Sequence, residues 1–234
     1  MNEQSREPAL TDQKSPFSAV YRSAGSRATV VVALLATVGL IEVITAWHDF
    51  SGFDLIRQGE LGTLTEAEAT SYDNLTTVLA IPYIGAFLAC VVAYLAWLSR
   101  SVDNVPVLTG ERPSVTPGWS IGWWFIPLAN LIRPYQIVRE LLVRLRGSET
   151  GPTAIVLAWW LAWIAANVAS AIVNIASRQP LETLDALRTW FTVNLVSDVL
   201  IIAAAVLAII VVRRIQRHAE ERATHLQLPE GLHP

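Results

Sequence analysis

Four apolar runs, each long enough to cross a bilayer as a helix, decide what this chain can be. They cover 28–47, 75–98, 153–177 and 193–212. Twenty helical residues rise about 30 Å, the thickness of a bilayer's hydrocarbon core. Only 16% of the 234 residues are charged, against about 25% in soluble domains. The pattern predicts an all-α integral membrane protein with four transmembrane helices. The first run begins too late, and is too long, for a cleaved signal peptide. It reads as a retained helix preceded by a polar N-terminal tail, 1–27. A single membrane domain then fills 28–217, and the tail 218–234 reads as disordered.

Between the first two runs, 48–74 carries Asp49, Asp54, Glu60, Glu66, Glu68 and Asp73 against Arg57 alone, the composition of a loop. Thr65 and Glu68 have capping-box spacing, so a helix should start near Glu66 and run on into the second apolar stretch. Gly85, Ala89 and Ala93 offer a small-residue ridge on that helix, and Pro82 a kink. The third run carries a longer ridge, Ala158, Ala162, Ala166, Ser170 and Asn174, which predicts the centre of the bundle. Polar linkers are expected at 99–115 and 178–192.

The segment 116–146 lies between the second and third runs. Trp119, Trp123 and Trp124 fall within six residues of one another. The stretch 118–128 is too short to span a bilayer, so it should lie at the interface or re-enter the bilayer. Pro134 suits the first turn of a new helix. There Ile137, Val138, Leu141, Leu142 and Leu145 form one apolar stripe, with Arg139, Glu140, Arg144 and Arg146 on the remainder, the pattern of an interfacial amphipathic helix. Charge gives an orientation. Fourteen of the 17 basic residues fall in the two tails and the central segment; only Arg57, Arg178 and Arg188 do not. The positive-inside rule then places both termini and the central segment in the cytoplasm, provided that the tryptophan segment does not cross.

Trp97, Arg100 and Asn104 precede Thr116-Pro-Gly-Trp-Ser-Ile-Gly-Trp-Trp-Phe-Ile-Pro-Leu-Ala-Asn-Leu-Ile-Arg-Pro-Tyr-Gln136. This long motif resembles domain of unknown function 4328, a family of small bacterial multi-pass membrane proteins. The resemblance extends over about 28–217 and is strongest at 97–142. It implies a shared fold and a cell-membrane location, and it supplies no activity. The motif positions it marks are Trp97, Arg100, Asn104, Pro117, Gly118, Trp119, Gly122, Trp123, Trp124, Pro127, Asn130, Arg133, Pro134 and Tyr135.

Other candidates are the intramembrane polar residues Glu42, Asn174, Asn194 and Asp198. Measured from the ends of the apolar runs, Glu42 and Asp198 lie about 7–8 Å below one surface. Ionisable groups inside a membrane are functional candidates by default. A structural role is the simpler alternative, with hydrogen bonds across helices or pairing to Arg178 and Arg188. Cys90 is the only cysteine, which excludes an internal disulfide and reads as small apolar filler. His48, His218, His225 and His233 show no metal-ligand spacing, and no nucleophile turn or phosphate loop is present. Enzyme chemistry, a cofactor and a nucleic-acid partner are therefore not expected. The reading is a non-enzymatic membrane interaction or scaffold module. Its expected partners are the bilayer, anionic lipid at the cytoplasmic face, and a protein or second copy. The alternative is a small ion or solute transporter using the Glu42/Asp198 layer.

Overall fold

A computed structural model of the chain describes residues 17–18, 20–147, 153–176, 178 and 183–226. Among them are six α-helices, two 3-10 turns and no strand. The helices are α1 (Gly25–Glu60), α2 (Glu66–Thr109), α3 (Pro117–Gly122), α4 (Arg133–Arg146), α5 (Ala154–Ala176) and α6 (Leu184–His225). Four of them, α1, α2, α5 and α6, are long and apolar enough to cross a membrane.

Three helices outrun their apolar stretches. With 36, 44 and 42 residues, α1, α2 and α6 measure about 54–66 Å, roughly twice a hydrocarbon core. Acidic residues make 48–60 look like loop, yet it is helix. Asp54, Arg57 and Glu60 occupy the exposed side, while His48, Asp49, Gly52 and Ile56 are buried. The same holds at 99–109, where Ser101, Val102, Asn104, Val105 and Leu108 are buried on a continuing α2 that runs through Pro106. It also holds at 184–192 and at 218–225, which belong to α6. Residues 227–234 of the expected disordered tail lie outside the described residues. In each extension polar residues fill one side of a helix whose other side is covered, and composition alone cannot separate that from loop. The capping box at the start of α2 is present: Thr65 N donates to Glu68 Oε2 at 3.0 Å, and Glu68 N to Thr65 Oγ1 at 3.3 Å.

Two packing expectations are corrected. The ridge of α5 does not mark the bundle centre: Ala166 is buried, Ala158 and Asn174 are exposed, and Ala162 and Ser170 are in between. A series of every fourth residue turns about 40° per step around a helix with 3.6 residues per turn. Four steps therefore carry it most of the way to the opposite side. The centre is α6, which touches α1, α2, α4 and α5. Likewise Ala93 packs against the core while Gly85 and Ala89 face outward. The second correction concerns α4. Its stripe does not face lipid; Ile137, Val138, Leu141, Leu142 and Leu145 are at most 2% exposed and join a core shared with α2, α5 and α6. An apolar stripe needs an apolar partner, and protein serves as well as lipid.

That core lies at one end of the bundle, where the start of α1, the ends of α2 and α6, α4 and the start of α5 converge. We call it the arginine-rich end. Cys90 of α2 is buried as a free thiol. Midway along the bundle the pattern is inverted: small Ala204 and Ala205 are buried, while Leu40, Ile44, Ile81, Ile84, Leu88, Leu161, Ile172 and Val199 are exposed. Lipid is the solvent that such an outer surface fits.

At the opposite end the ring of Phe191 on α6 lies directly on Gly52 of α1, in the space that a Cβ would fill. Gly52→Ala should therefore lower the unfolding free energy by about 1–3 kcal/mol through overpacking. Gly118→Ala, with open space around it, should change it by under ~0.5 kcal/mol. Thermal unfolding of both variants in nanodiscs checks this.

Candidate functional site

Glu42 and Asp198 meet. Both are buried, on α1 and α6, and their carboxyl groups are in hydrogen-bond contact with each other. The Tyr83 hydroxyl of α2 is directed at Glu42. Two turns further along α1, Asp49 is also buried and accepts from the Tyr72 hydroxyl at 3.2 Å. Beside it His48 stacks on Tyr72 with ring centroids 3.9 Å apart, and its Nε2 lies 2.9 Å from Thr76 Oγ1. The Thr76 hydroxyl proton goes to the Tyr72 carbonyl at 3.1 Å. Thr76 is then the acceptor towards His48, which must carry its proton on Nε2. Three helices thus gather three buried carboxyl groups, two tyrosines and a histidine.

Glu42 is near the middle of α1 and Asp198 about 21 Å from the start of α6, because both helices continue past the apolar runs. The two asparagines do not join the layer: Asn174 is exposed, and Asn194 Nδ2 donates at 2.9 Å to Trp190 O in its own helix. The arginines do not reach it either. Arg188 pairs with Glu60 at 2.7 Å and with Asp185 at 3.9 Å, and Arg178 is exposed. Sequence reasoning missed His48, Asp49, Tyr72, Thr76 and Tyr83. Glu42 and Asp49 are seven residues apart, two turns on one face, and Tyr72 and Tyr83 eleven apart, three turns; that spacing was the available signal. Among the described residues no group of three or more His, Cys, Asp or Glu is placed to hold a metal ion.

A cleft of about 490 Å³ opens beside this cluster. Tyr72, Asp73 and Thr76 of α2, Ile56 of α1, and Trp190 and Phe191 of α6 are among its walls. Tyr72 and Thr76 therefore face the cleft on one side and bond to Asp49 and His48 on the other.

The motif residues lie towards the arginine-rich end and act by packing and pinning. Fully buried Trp97 donates from Nε1 to Gln216 Oε1 at 3.4 Å. Asn104 clamps the backbone before α1, its Nδ2 donating to Arg22 O at 2.8 Å and its Oδ1 accepting from Arg22 N at 3.3 Å. Arg100 is half-buried with Arg27, Asp103 and Arg22 around it. Thr116 caps α3, accepting from Trp119 N at 3.3 Å, and Pro117 starts it. Gly118 is exposed, whereas Gly122 makes room for the Trp119 ring. The chain then reverses at Pro127 and Leu128, the one non-glycine described residue with positive φ, 65°.

Trp124 is the hub of this segment. Its ring meets Tyr94 at 5.5 Å, Trp160 at 6.0 Å and Trp163 at 5.9 Å, all edge to face. The segment packs on α2 and α5 through aromatic rings, not through the small-residue ridges. Arg133 covers the Trp123 ring at 4.9 Å, a cation–π contact. Asn130 Nδ2 donates to Trp124 O at 3.3 Å, and Trp160 Nε1 to Leu131 O at 3.0 Å. Pro134 is buried in the first turn of α4, and Tyr135 is packed against the core. Arg222, which the sequence places in a loose tail, bonds Leu145 O at 2.7 Å and Leu108 O at 3.3 Å. It thereby ties together the last turns of α4 and α2.

Four helices long and apolar enough to cross a bilayer, inverted polarity at mid-length and a compact cap at one end are compatible with a multi-pass membrane protein. Residues 61–217 match the family described as domain of unknown function DUF4328, and the chain belongs to that family. The matched region begins just past α1, so it contains the motif residues and Asp198 but neither Glu42 nor Asp49. No curated protein and no solved structure matches the chain.

Trp124→Ala should lower stability by about 3 kcal/mol, the low end for a packed tryptophan. Trp119→Ala, 53% exposed, should cost under ~1 kcal/mol. Equal losses, measured by thermal unfolding in nanodiscs, would contradict the hub assignment.

Proposed function

We propose that this protein is a non-enzymatic interaction module of the cell membrane that pairs with a second copy of itself through α2. The observation that carries the reading is the uncovered face of α2. A Cβ added to Gly85 would meet nothing within 4 Å, and Ala89 is exposed beside it between Ile81, Ile84, Leu88 and Val92. Small residues one turn apart, flanked by bulky ones, let two helices approach closely in a membrane. A helix presenting such a face to its own copy makes a self-complementary contact that closes as a dimer.

In this reading four helices cross the membrane, and both termini lie in the cytoplasm with the arginine-rich end. The charge asymmetry supports that orientation. The tryptophan segment re-enters the inner leaflet. Trp124 packs on Trp163, about 14 Å along α5, and Leu128 is 79% exposed beside exposed Phe125 and Ile132. Irregular backbone at such depth needs its polar groups satisfied. Ala129, Asn130, Leu131 and Ile132 all donate their N–H groups to carbonyls between Ile126 and Ala129, at 2.8–3.2 Å. Exposed Arg27, Arg133, Arg139, Arg213, Arg214 and Arg217 would then face anionic headgroups. A second reading, small ion or solute transport, is favoured by one observation, the Glu42–Asp198 contact; it requires a flux that the interaction reading does not.

Ala89→Cys in a Cys90→Ser background, oxidised in native membranes, should give a disulfide-linked dimer. Val199→Cys, exposed on α6, should stay monomeric. A monomeric Ala89→Cys protein would refute docking on α2.

A further inference from the structure

We infer that the Glu42–Asp198 pair is a proton-binding site, loaded from the cleft beside it through Asp49 and Tyr72. The inference stands apart from pairing through α2 and survives if that pairing fails.

The geometry forces the question of a proton. No N–H or O–H among the described residues reaches Asp198 Oδ2, which is buried and unpartnered. The side chain is only 6% exposed. Its neighbour is the Glu42 carboxyl, and two ionised carboxylates are both acceptors only. Facing each other in a dry bundle they repel, and neither oxygen finds a donor. One proton resolves both problems: the acid O–H of one group donates to the other, and a single negative charge remains for Tyr83 to bond.

The surroundings suit a proton better than a metal ion. Within electrostatic reach of the pair are Asp49 from α1 and Tyr72 and Tyr83 from α2; His48 and Asp73 lie one step further out, beside Tyr72. Packed on the far side of α6, α5 offers the Ser170 hydroxyl, which meets Ser197 at 3.0 Å. Among the described residues none of these carboxyls forms an ion pair, and no three-ligand metal arrangement exists. A strong cation site would need several oxygen ligands converging on one point; here two carboxyl groups touch each other. A proton needs only the two oxygens already in contact.

The route follows from the walls of the cleft. Tyr72 lines it and donates to Asp49. Asp49 lies within electrostatic reach of Asp198. A proton from water in the cleft adds to the Tyr72 hydroxyl oxygen as Tyr72 gives its own proton to the Asp49 carboxylate, and Asp49 passes that proton on to the pair; release reverses these steps and leaves no other bond changed.

The test uses the full chain in nanodiscs and infrared difference spectroscopy. At neutral pH the wild type should show a protonated-carboxyl band that shifts in D2O. The Glu42→Gln/Asp198→Asn double variant should lose it. Tyr72→Phe should keep the band and slow its H/D exchange severalfold. If the double variant does not fold, the wild-type band and its response to cations decide. Absence of the band at neutral pH overturns the proposal, as does a band that added sodium or potassium removes, which would make the pair a cation site. Exchange unchanged in Tyr72→Phe overturns the route.

Discussion

One face of α6, bearing Ala204, Ala205, Ala208, Val211, Val212, Ile215 and Ala219, lies at the centre of a bundle in which α6 touches α1, α2, α4 and α5. Its middle is lined with alanine, so α1 comes close enough that a Cβ added to Gly39 would stand 3.8 Å from the Ala205 side chain. Lipid tails are as apolar as these side chains, so close packing, not exclusion of water, must hold the helices together there. Towards the arginine-rich end the face changes to Val211, Val212 and Ile215, and a larger core forms with α2 and α4. On the proposed placement water surrounds the bundle there, and burial of apolar area stabilises it in the ordinary way. On the proposed placement in a bilayer, the same helix works in two solvents, and its composition changes where the solvent does.

This division explains which features could be read from the sequence. The four long apolar helices were legible because twenty apolar residues leave few other choices. The capping box at Thr65 and the stripe on α4 were legible because both are local patterns. What the stripe packs against was not: Ile137 and Leu141 look the same whether lipid or Trp97 covers them. Helix ends were misplaced wherever a helix leaves the apolar run with one side exposed, as at Asp54 and Glu60. The ridge on α5 gave a repeat but not a face, since steps of four residues precess. Glu42 and Asp198 could be paired by rough depth. Tyr83, Tyr72 and Asp49 complete their surroundings through contacts between distant helices, which a single sequence does not encode locally.

The two ends then have different characters. At the arginine-rich end, Arg222, Asn104 and Trp97 use long-range hydrogen bonds to fix helix ends and the segment before α1. That is stability work, done where water competes. At the other end polar groups lie within the bundle beneath a cleft, with carboxyls facing each other and no arginine among them. Part of that cluster, Glu42 and Asp49, comes from α1, which lies outside the region shared with the DUF4328 family. The motif that identifies the chain and the cluster that offers chemistry are thus at opposite ends of the molecule, joined by α2 and α6.

The central claim is that the helices cross the bilayer while the tryptophan segment turns back within it. Single cysteines at Thr63, Arg112 and Arg139, in a Cys90→Ser background, test this with a membrane-impermeant thiol reagent on whole cells. All three positions are exposed, and the last two flank the segment. The account predicts that Thr63→Cys is labelled from outside, and that Arg112→Cys and Arg139→Cys are labelled only after the cells are opened. Opposite accessibility at Arg112 and Arg139 would mean that the segment crosses, and would contradict it.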